Sequence, residues 1–233
     1  MTTELVLVRH GHAVRVNGDY VRAPLTELGR TQAELTGKRF CHENFTFDGF
    51  YSSPLRRTKE TSALIGTQMG KIPAIQNGIQ ELEGYEVPML VLMEFLAHIG
   101  WFGRYLYENS GKPIHWPIVG RVSQVISDLV KKHEGGRFAI VTHSGVVSSV
   151  LAWYFPNRRR RWWMYTVNNC SLTRLRINGT HAELIVVNET NHLSDALTTK
   201  QPPAQTVQVA KAVEEKVEQV VSPKEPAREG MVK

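Results

Sequence analysis

Leu5-Val6-Leu7-Val8 is apolar without a break, the pattern of a short strand buried on both faces of a parallel sheet. Phe47–Ser52 and Phe138–Thr142 are further short, largely apolar runs. Between them the period changes. Thr26 is a good N-cap with Glu27 in the first turn behind it, so a helix is expected to start there. Ser53-Pro54 reads as an N-cap followed by proline at the first helical position, opening a helix through Ile65. Val122, Val125, Ile126, Leu129 and Val130 recur at helical spacing until Gly135-Gly136 stops them. Another helix is expected from Val146 onward. Last, Ser171–Ile177 and Glu183–Asn188 flank Asn178-Gly179, a strong hairpin signal. Strands alternating with helices predict an α/β fold: a three-layer α/β/α sandwich with a mostly parallel central sheet and a C-terminal hairpin.

The pattern also divides the chain. Residues 1–193 read as one domain of alternating strands and helices. Within it, residues 84–118 mix Trp101, Trp116, glycines and prolines with patches of helical spacing, and read as a lid-like insertion. From Ser194 to the end there is no aromatic residue, and Pro202, Pro203, Pro223 and Pro226 punctuate the segment. That is the composition of a disordered tail, although Val209, Val213, Val217 and Val220 could line one helical face on a partner.

Composition adds three points. Hydrophobic residues make up 42% and charged residues 21%, ordinary for a protein with a real core. The longest apolar stretch, Val87 to Leu96, is broken by Glu94 and is too short to span a bilayer. With a strand opening at Leu5, no targeting leader is expected and the cytoplasm is the expected location. Cys41 and Cys170 lack metal or redox spacing, and both are expected to be buried or half-buried. The net charge is +6, and residues 194–233 hold six Lys/Arg against six Asp/Glu. The excess therefore sits on the first 193 residues and suits an anionic partner.

Ligands of a parallel sheet bind at the carboxyl ends of its strands. Three expected strands end in chemically capable residues: Arg9, His10 and Gly11 on the first, Arg56 and Arg57 beyond the second, and His143 on the third. Histidines and arginines gathered at one edge make an anion site. Phosphoryl transfer asks mainly for positioning and for stabilisation of charge on the equatorial oxygens. Arginine supplies planar, permanently charged donors for them. A neutral imidazole is a competent nucleophile near neutrality. No metal or other cofactor is required if the arginines carry the charge. A carboxylic acid must protonate the leaving oxygen, and Glu81 and Glu83, in Gln80-Glu81-Leu82-Glu83-Gly84, are the candidates.

Five blocks in fixed order carry a family resemblance: Leu7-Val8-Arg9-His10-Gly11; Pro24-Leu25-Thr26-Glu27-Leu28-Gly29 with Gln32 and Ala33; Ser53-Pro54-Leu55-Arg56-Arg57-Thr58 with Thr61; Glu81; and Val141-Thr142-His143-Ser144-Gly145-Val146. The chain resembles the histidine phosphatase superfamily, the phosphoglycerate-mutase-like enzymes. The resemblance implies that His10 is the phosphorylated nucleophile and that Arg9, Arg57, His143 and Asn17 bind phosphate. It implies that Glu81 protonates the leaving group and then activates water. The substrate would be a phosphorylated small molecule, and the activity that of a phosphatase. Mutase-type phosphoryl transfer is the alternative, but the longer motifs that mark glycolytic mutases are not evident. His12 stands where relatives commonly carry an acidic residue.

Two readings from other classes compete. His10-Gly11-His12 has the spacing of a metal-ligand pair, which would suit a metal-dependent hydrolase, although no carboxylate follows the second strand. Arg158-Arg159-Arg160-Arg161 before Trp162-Trp163 is raw material for contact with nucleic acid or a membrane surface. One short run is a weak signal, and neither nucleic acid nor membrane is expected as a partner.

Overall fold

The computed structural model describes residues 1–14, 22–81, 117–155 and 167–199. Among the described residues six strands form one sheet: β1 (Thr3–Arg9), β2 (Gly49–Ser52), β3 (Ala74–Ile75), β4 (Arg137–Thr142), β5 (Leu172–Asn178) and β6 (His181–Glu189), in the order β3-β2-β4-β1-β5-β6. The first four pair in parallel, while β5 and β6 add an antiparallel hairpin beside β1. The mostly parallel sheet and the hairpin are as expected.

Strand alternation divides the core in two. Leu5, Leu7, Phe138 and Ile140 face helices α3 (Pro117–Lys132) and α4 (Ser144–Tyr154), meeting Val122, Ile126, Val147 and Leu151. Val6, Val8, Ala139 and Val141 face α1 (Glu27–His42) and α2 (Arg56–Met69), meeting Ala33, Phe40 and Ile65. Helices on both faces of the sheet give the expected α/β/α sandwich.

Local details differ in ways that bear on the site. Thr26 does cap α1, accepting the Gly29 N–H at 3.1 Å. Ser53 does not cap α2. The helix starts at Arg56 with Leu55 as its N-cap, because the Ser53 hydroxyl is engaged by His143 instead, at 2.9 Å. Helix α4 starts at Ser144 rather than Val146, directly behind His143. The hairpin turns on Gly179-Thr180, one residue later than expected, since Asn178 pairs with His181. Gly179 takes φ +60° at the first central position, where glycine is favoured. Cys170 is fully buried, but Cys41 is exposed, its Sγ lying 3.0 Å from the Gln68 carbonyl. It falls on the solvent side of the last turn of α1.

After β6 the chain runs back across α1. Leu193 is buried, Asp195–Leu197 form a short 3-10 turn, and Leu197 packs with the α1–α2 core. The insertion expected over residues 84–118 lies outside the described residues up to Trp116, as does the tail expected over 194–233 from Lys200 onward.

Candidate active site

Strand register brings the two histidines together. Arg9, the last residue of β1, pairs with Thr142, the last of β4, so His10 and His143 leave adjacent parallel strands at the same level. Their ring centroids are 5.3 Å apart, and both are buried. Next to them β2 leads into α2, whose first turn carries Arg57, 1% exposed. Arg9 is buried as well, with Nη1 donating to the Val167 carbonyl.

The hydrogen bonds assign the protons. Nδ1 of His10 lies 2.7 Å from the Gly11 carbonyl oxygen. A carbonyl only accepts, so Nδ1 carries the hydrogen and Nε2 keeps the lone pair. Arg57 agrees, donating from Nε to Nε2 of His10 at 3.2 Å. The same guanidinium donates from Nη2 to Nδ1 of His143 at 3.1 Å. His143 is therefore the opposite tautomer, its Nε2–H directed at the Ser53 hydroxyl.

Both imidazoles are held neutral. Burial pushes the pKa of His10 well below the ordinary 6.5, and the charges of Arg9 and Arg57 push it further. His143 is lowered in the same way, by burial and then by His10, Arg57, Arg9 and Arg121. A desolvated imidazole beside guanidinium charges has no favourable way to hold a proton. The pocket therefore presents fixed positive charge together with an unprotonated nitrogen.

Glu81 lies at the border of this cluster. Its carboxylate is 3.4 Å from both the Ser144 hydroxyl and the Gly145 backbone nitrogen, at the positive end of α4 directly behind His143. The structure thus brings together Arg9, His10, Arg57 and His143, with Glu81 beside them. Asn17 and Glu83 lie outside the described residues, as does the run Arg158–Arg161 with its two tryptophans. Arg56 stands apart, paired on the helix surface with Glu60 at 2.7 Å.

Close backbone packing holds the His10–His12 loop against α1. A Cβ on Gly11 would lie 2.5 Å from the Gly29 carbonyl oxygen, and one on Gly29 would strike the His12 carbonyl. Glycine is required at both points by contact alone. The His12 ring meets helix α1, its Nδ1 lying 2.9 Å from the Thr26 hydroxyl that caps it. Among the described residues no group of three or more His, Cys, Asp or Glu side chains could hold a metal ion.

The fold and the order of motifs identify the family. Residues 5–190 match the histidine phosphatase superfamily, branch 1. The chain belongs to the histidine phosphatase superfamily. It is 25% identical to phosphoglycerate mutase-like protein 4 of Arabidopsis thaliana, over 82% of this chain and 87% of that protein. It is 28% identical to a metal-independent phosphoserine phosphatase of the same plant, over 64% and 67% of the two chains. Its fold matches that of a phosphoserine phosphatase of Entamoeba histolytica solved with phosphoserine, with a TM-score of 0.61, 22% identity, and coverage of 82% of this chain and all of that one. Phosphoglycerate mutase of Bacillus anthracis is similarly alike in fold, at TM-score 0.59, 18% identity, and 82% and 95% coverage. The expected fold, family and enzyme class are thereby borne out. Among the described residues no helix is long and apolar enough to cross a membrane.

Sequence reading missed Arg121. It sits on α3, donates from Nη1 to the Gln80 side chain at 2.9 Å and lowers the pKa of His143. Its only signal is a polar position beside the apolar stripe of that helix. Ser53, Gln32 and Asn169 were not assigned a function either; Ser53 meets His143, Asn169 meets His10, and Gln32 meets the loop just after His10.

Proposed function

We propose that this histidine phosphatase hydrolyses phosphate monoesters through a phosphohistidine on Nε2 of His10. The observation that carries the reading is the proton assignment of the His10 ring. Its Nδ1–H is engaged by the Gly11 carbonyl, so the lone pair on Nε2 faces Arg57. That is a nucleophile already deprotonated and already beside the charge that an incoming phosphoryl group needs.

In the first step Nε2 of His10 attacks phosphorus and the bond from phosphorus to the ester oxygen breaks. Protonated Glu81 gives its proton to the departing oxygen. Arg9, Arg57 and His143 hold the equatorial oxygens, whose charge builds in the transition state. In the second step the Glu81 carboxylate takes a proton from water, the water oxygen bonds to phosphorus, and the phosphorus–nitrogen bond breaks. Inorganic phosphate leaves and His10 returns to its starting form.

The substrate class is a phosphorylated small molecule. Phosphoserine and 3-phosphoglycerate are the first to screen, because a phosphoserine phosphatase of the same fold has been solved with each. The test is hydrolysis of p-nitrophenyl phosphate by wild type and His10→Ala, with and without EDTA, alongside a search for acid-labile phosphate on the protein. Chelator-insensitive turnover, absent from the variant, with label on His10 in wild type, is the expected result. Near-normal activity in His10→Ala would falsify the mechanism. Interconversion of phosphoglycerate isomers outrunning hydrolysis would make the chain a mutase.

A further inference from the structure

The two peptide units that flank Gly11 are each tied at both polar ends. In the unit between His10 and Gly11, the His10 carbonyl accepts from the Asn169 side chain at 2.8 Å and the Gly11 N–H donates to Thr61 at 3.0 Å. In the unit between Gly11 and His12, the carbonyl accepts Nδ1–H of His10, and the His12 N–H donates to Oε1 of Gln32 at 2.8 Å. A trans peptide is planar, with its C=O and N–H pointing in opposite directions. Drawing the His12 N–H toward Gln32 therefore aims the Gly11 carbonyl back at His10. The bond that fixes the nucleophile's tautomer is set by a side-chain amide on α1.

Both clamping amides are themselves held from one place. Nε2 of Gln32 donates to the Leu197 carbonyl at 2.7 Å, and Oδ1 of Asn169 accepts the Thr199 hydroxyl at 2.7 Å. Each amide thus runs from the nucleophile loop to the segment that follows β6. Gln32 cannot flip, because one end meets an N–H that only donates and the other a carbonyl that only accepts. A third tie is made by His192, whose ring lies 3.0 Å from the Thr36 hydroxyl on α1 and also bonds the Cys170 backbone. Cys170 in turn donates its N–H to the Arg9 carbonyl at 3.0 Å.

We propose that residues 192–199 form a strap that positions the nucleophile, with Thr199 acting through Asn169, and Leu197 through Gln32, on the two peptide units around Gly11. Neither Thr199 nor Gln32 touches the reacting atoms; both are positioning residues. The proposal rests on His10 being the nucleophile, and it gives the C-terminal segment control over how fast that nucleophile reacts.

The test uses the full chain with Thr199→Val, which keeps the shape and removes the hydroxyl, and Thr199→Ser, which restores it. Nitrogen-15 NMR of the histidine rings reads the His10 tautomer, and p-nitrophenyl phosphate reads turnover. In wild type His10 is expected as the Nδ1–H tautomer; in Thr199→Val the His10–Gly11 unit, released from Asn169, turns about Gly11 and draws the Gly11 carbonyl off Nδ1, so tautomers should mix. Turnover by that variant is expected to fall ~10-fold, since small misplacements of reacting groups are costly, with KM within about twofold because binding groups are untouched. Thr199→Ser should recover both. Adding Asn169→Ala to Thr199→Val should cost little more than Asn169→Ala alone, as expected of residues acting in series. An unchanged His10 ring spectrum in Thr199→Val, or a Thr199→Ser protein as impaired as Thr199→Val, overturns the strap. Should wild type fail to turn over any phosphate ester, the functional reading falls while the ring spectrum still decides the strap.

Discussion

Arg57 donates to Nε2 of His10 at 3.2 Å, so a permanent cation rests on the nitrogen with the lone pair. Under the proposed mechanism it stabilises the transition state, and its charge also keeps that nitrogen free of protons. Arg57→Ala should lower kcat about 10²- to 10³-fold, the scale of losing one preorganised charge donor. The pKa of His10 should rise once the charge is gone. The acid limb of kcat/KM, below pH 6.5 in wild type, should therefore move to higher pH in the variant. A pH–rate profile of both proteins checks this, and coincident acid limbs would show that Arg57 does not set the state of His10.

The carboxyl group of Glu81 at the mouth of α4, in its protonated form, is the proposed proton donor. Glu81→Gln should slow hydrolysis of alkyl phosphates about 10²-fold or more, the usual contribution of general acid catalysis. Nitrophenolate needs little help in leaving, so p-nitrophenyl phosphate should suffer less in the step that forms phosphohistidine. Single-turnover rates with the two ester types measure the difference. Equal losses would assign the acid role to another group.

Burying neutral histidines links stability to pH. The rings of His10 and His143 titrate well below 6.5 in the fold, and burial with Arg39 beside it lowers His192 to about 4. Below pH 6.5 the unfolded chain binds protons that the folded one refuses. Stability from these rings is thus complete above about pH 6.5 and is lost as the pH falls toward the folded values. Calorimetry from pH 7.5 to 5 should show Tm declining, with a shallower decline in a His10→Asn, His143→Asn double variant. A flat Tm in wild type would mean the rings are not held neutral by the fold.

Gly29 packs its backbone on the carbonyl of His12, leaving no room for a methyl group. Gly29→Ala should destabilise by about 1–3 kcal/mol, the cost of overpacking. It should also depress kcat, because His12 belongs to the peptide unit that aims the Gly11 carbonyl. Denaturant unfolding and kinetics at a temperature where the variant is folded separate the two effects. Full activity in a destabilised Gly29→Ala protein would show that the loop tolerates the shift.

Much of this architecture is legible in the residue pattern, for a physical reason. Leu5–Val8 and Phe138–Thr142 are buried on both faces, so their apolar runs are uninterrupted and their ends point to the site. Arg9, His10 and His143 lie within two residues of those ends, and Arg57 in the first turn of the helix after β2. What escaped the pattern depends on distant partners. Ser53 had the local character of a cap, but His143, ninety residues on, engages its hydroxyl. Gln32 and Asn169 bond residues 165 and 159 positions away, and polar side chains carry no periodicity to announce such bridges. Arg121 lies beside an apolar stripe, so its approach to the site depends on how the helix docks.

The bonds converging on Gly11 also bear on protein engineering. Thr61, Gln32, Asn169 and the ring of His10 come from separate stretches of chain, and each ties one polar end of the two peptide units. Arg9-His10-Gly11 is therefore not a portable motif. Transplanted onto another parallel sheet without Thr61, Gln32 and Asn169, it would supply an imidazole whose tautomer and heading were left to chance. A designer seeking a metal-free phosphatase would have to graft the surrounding amides before the histidine.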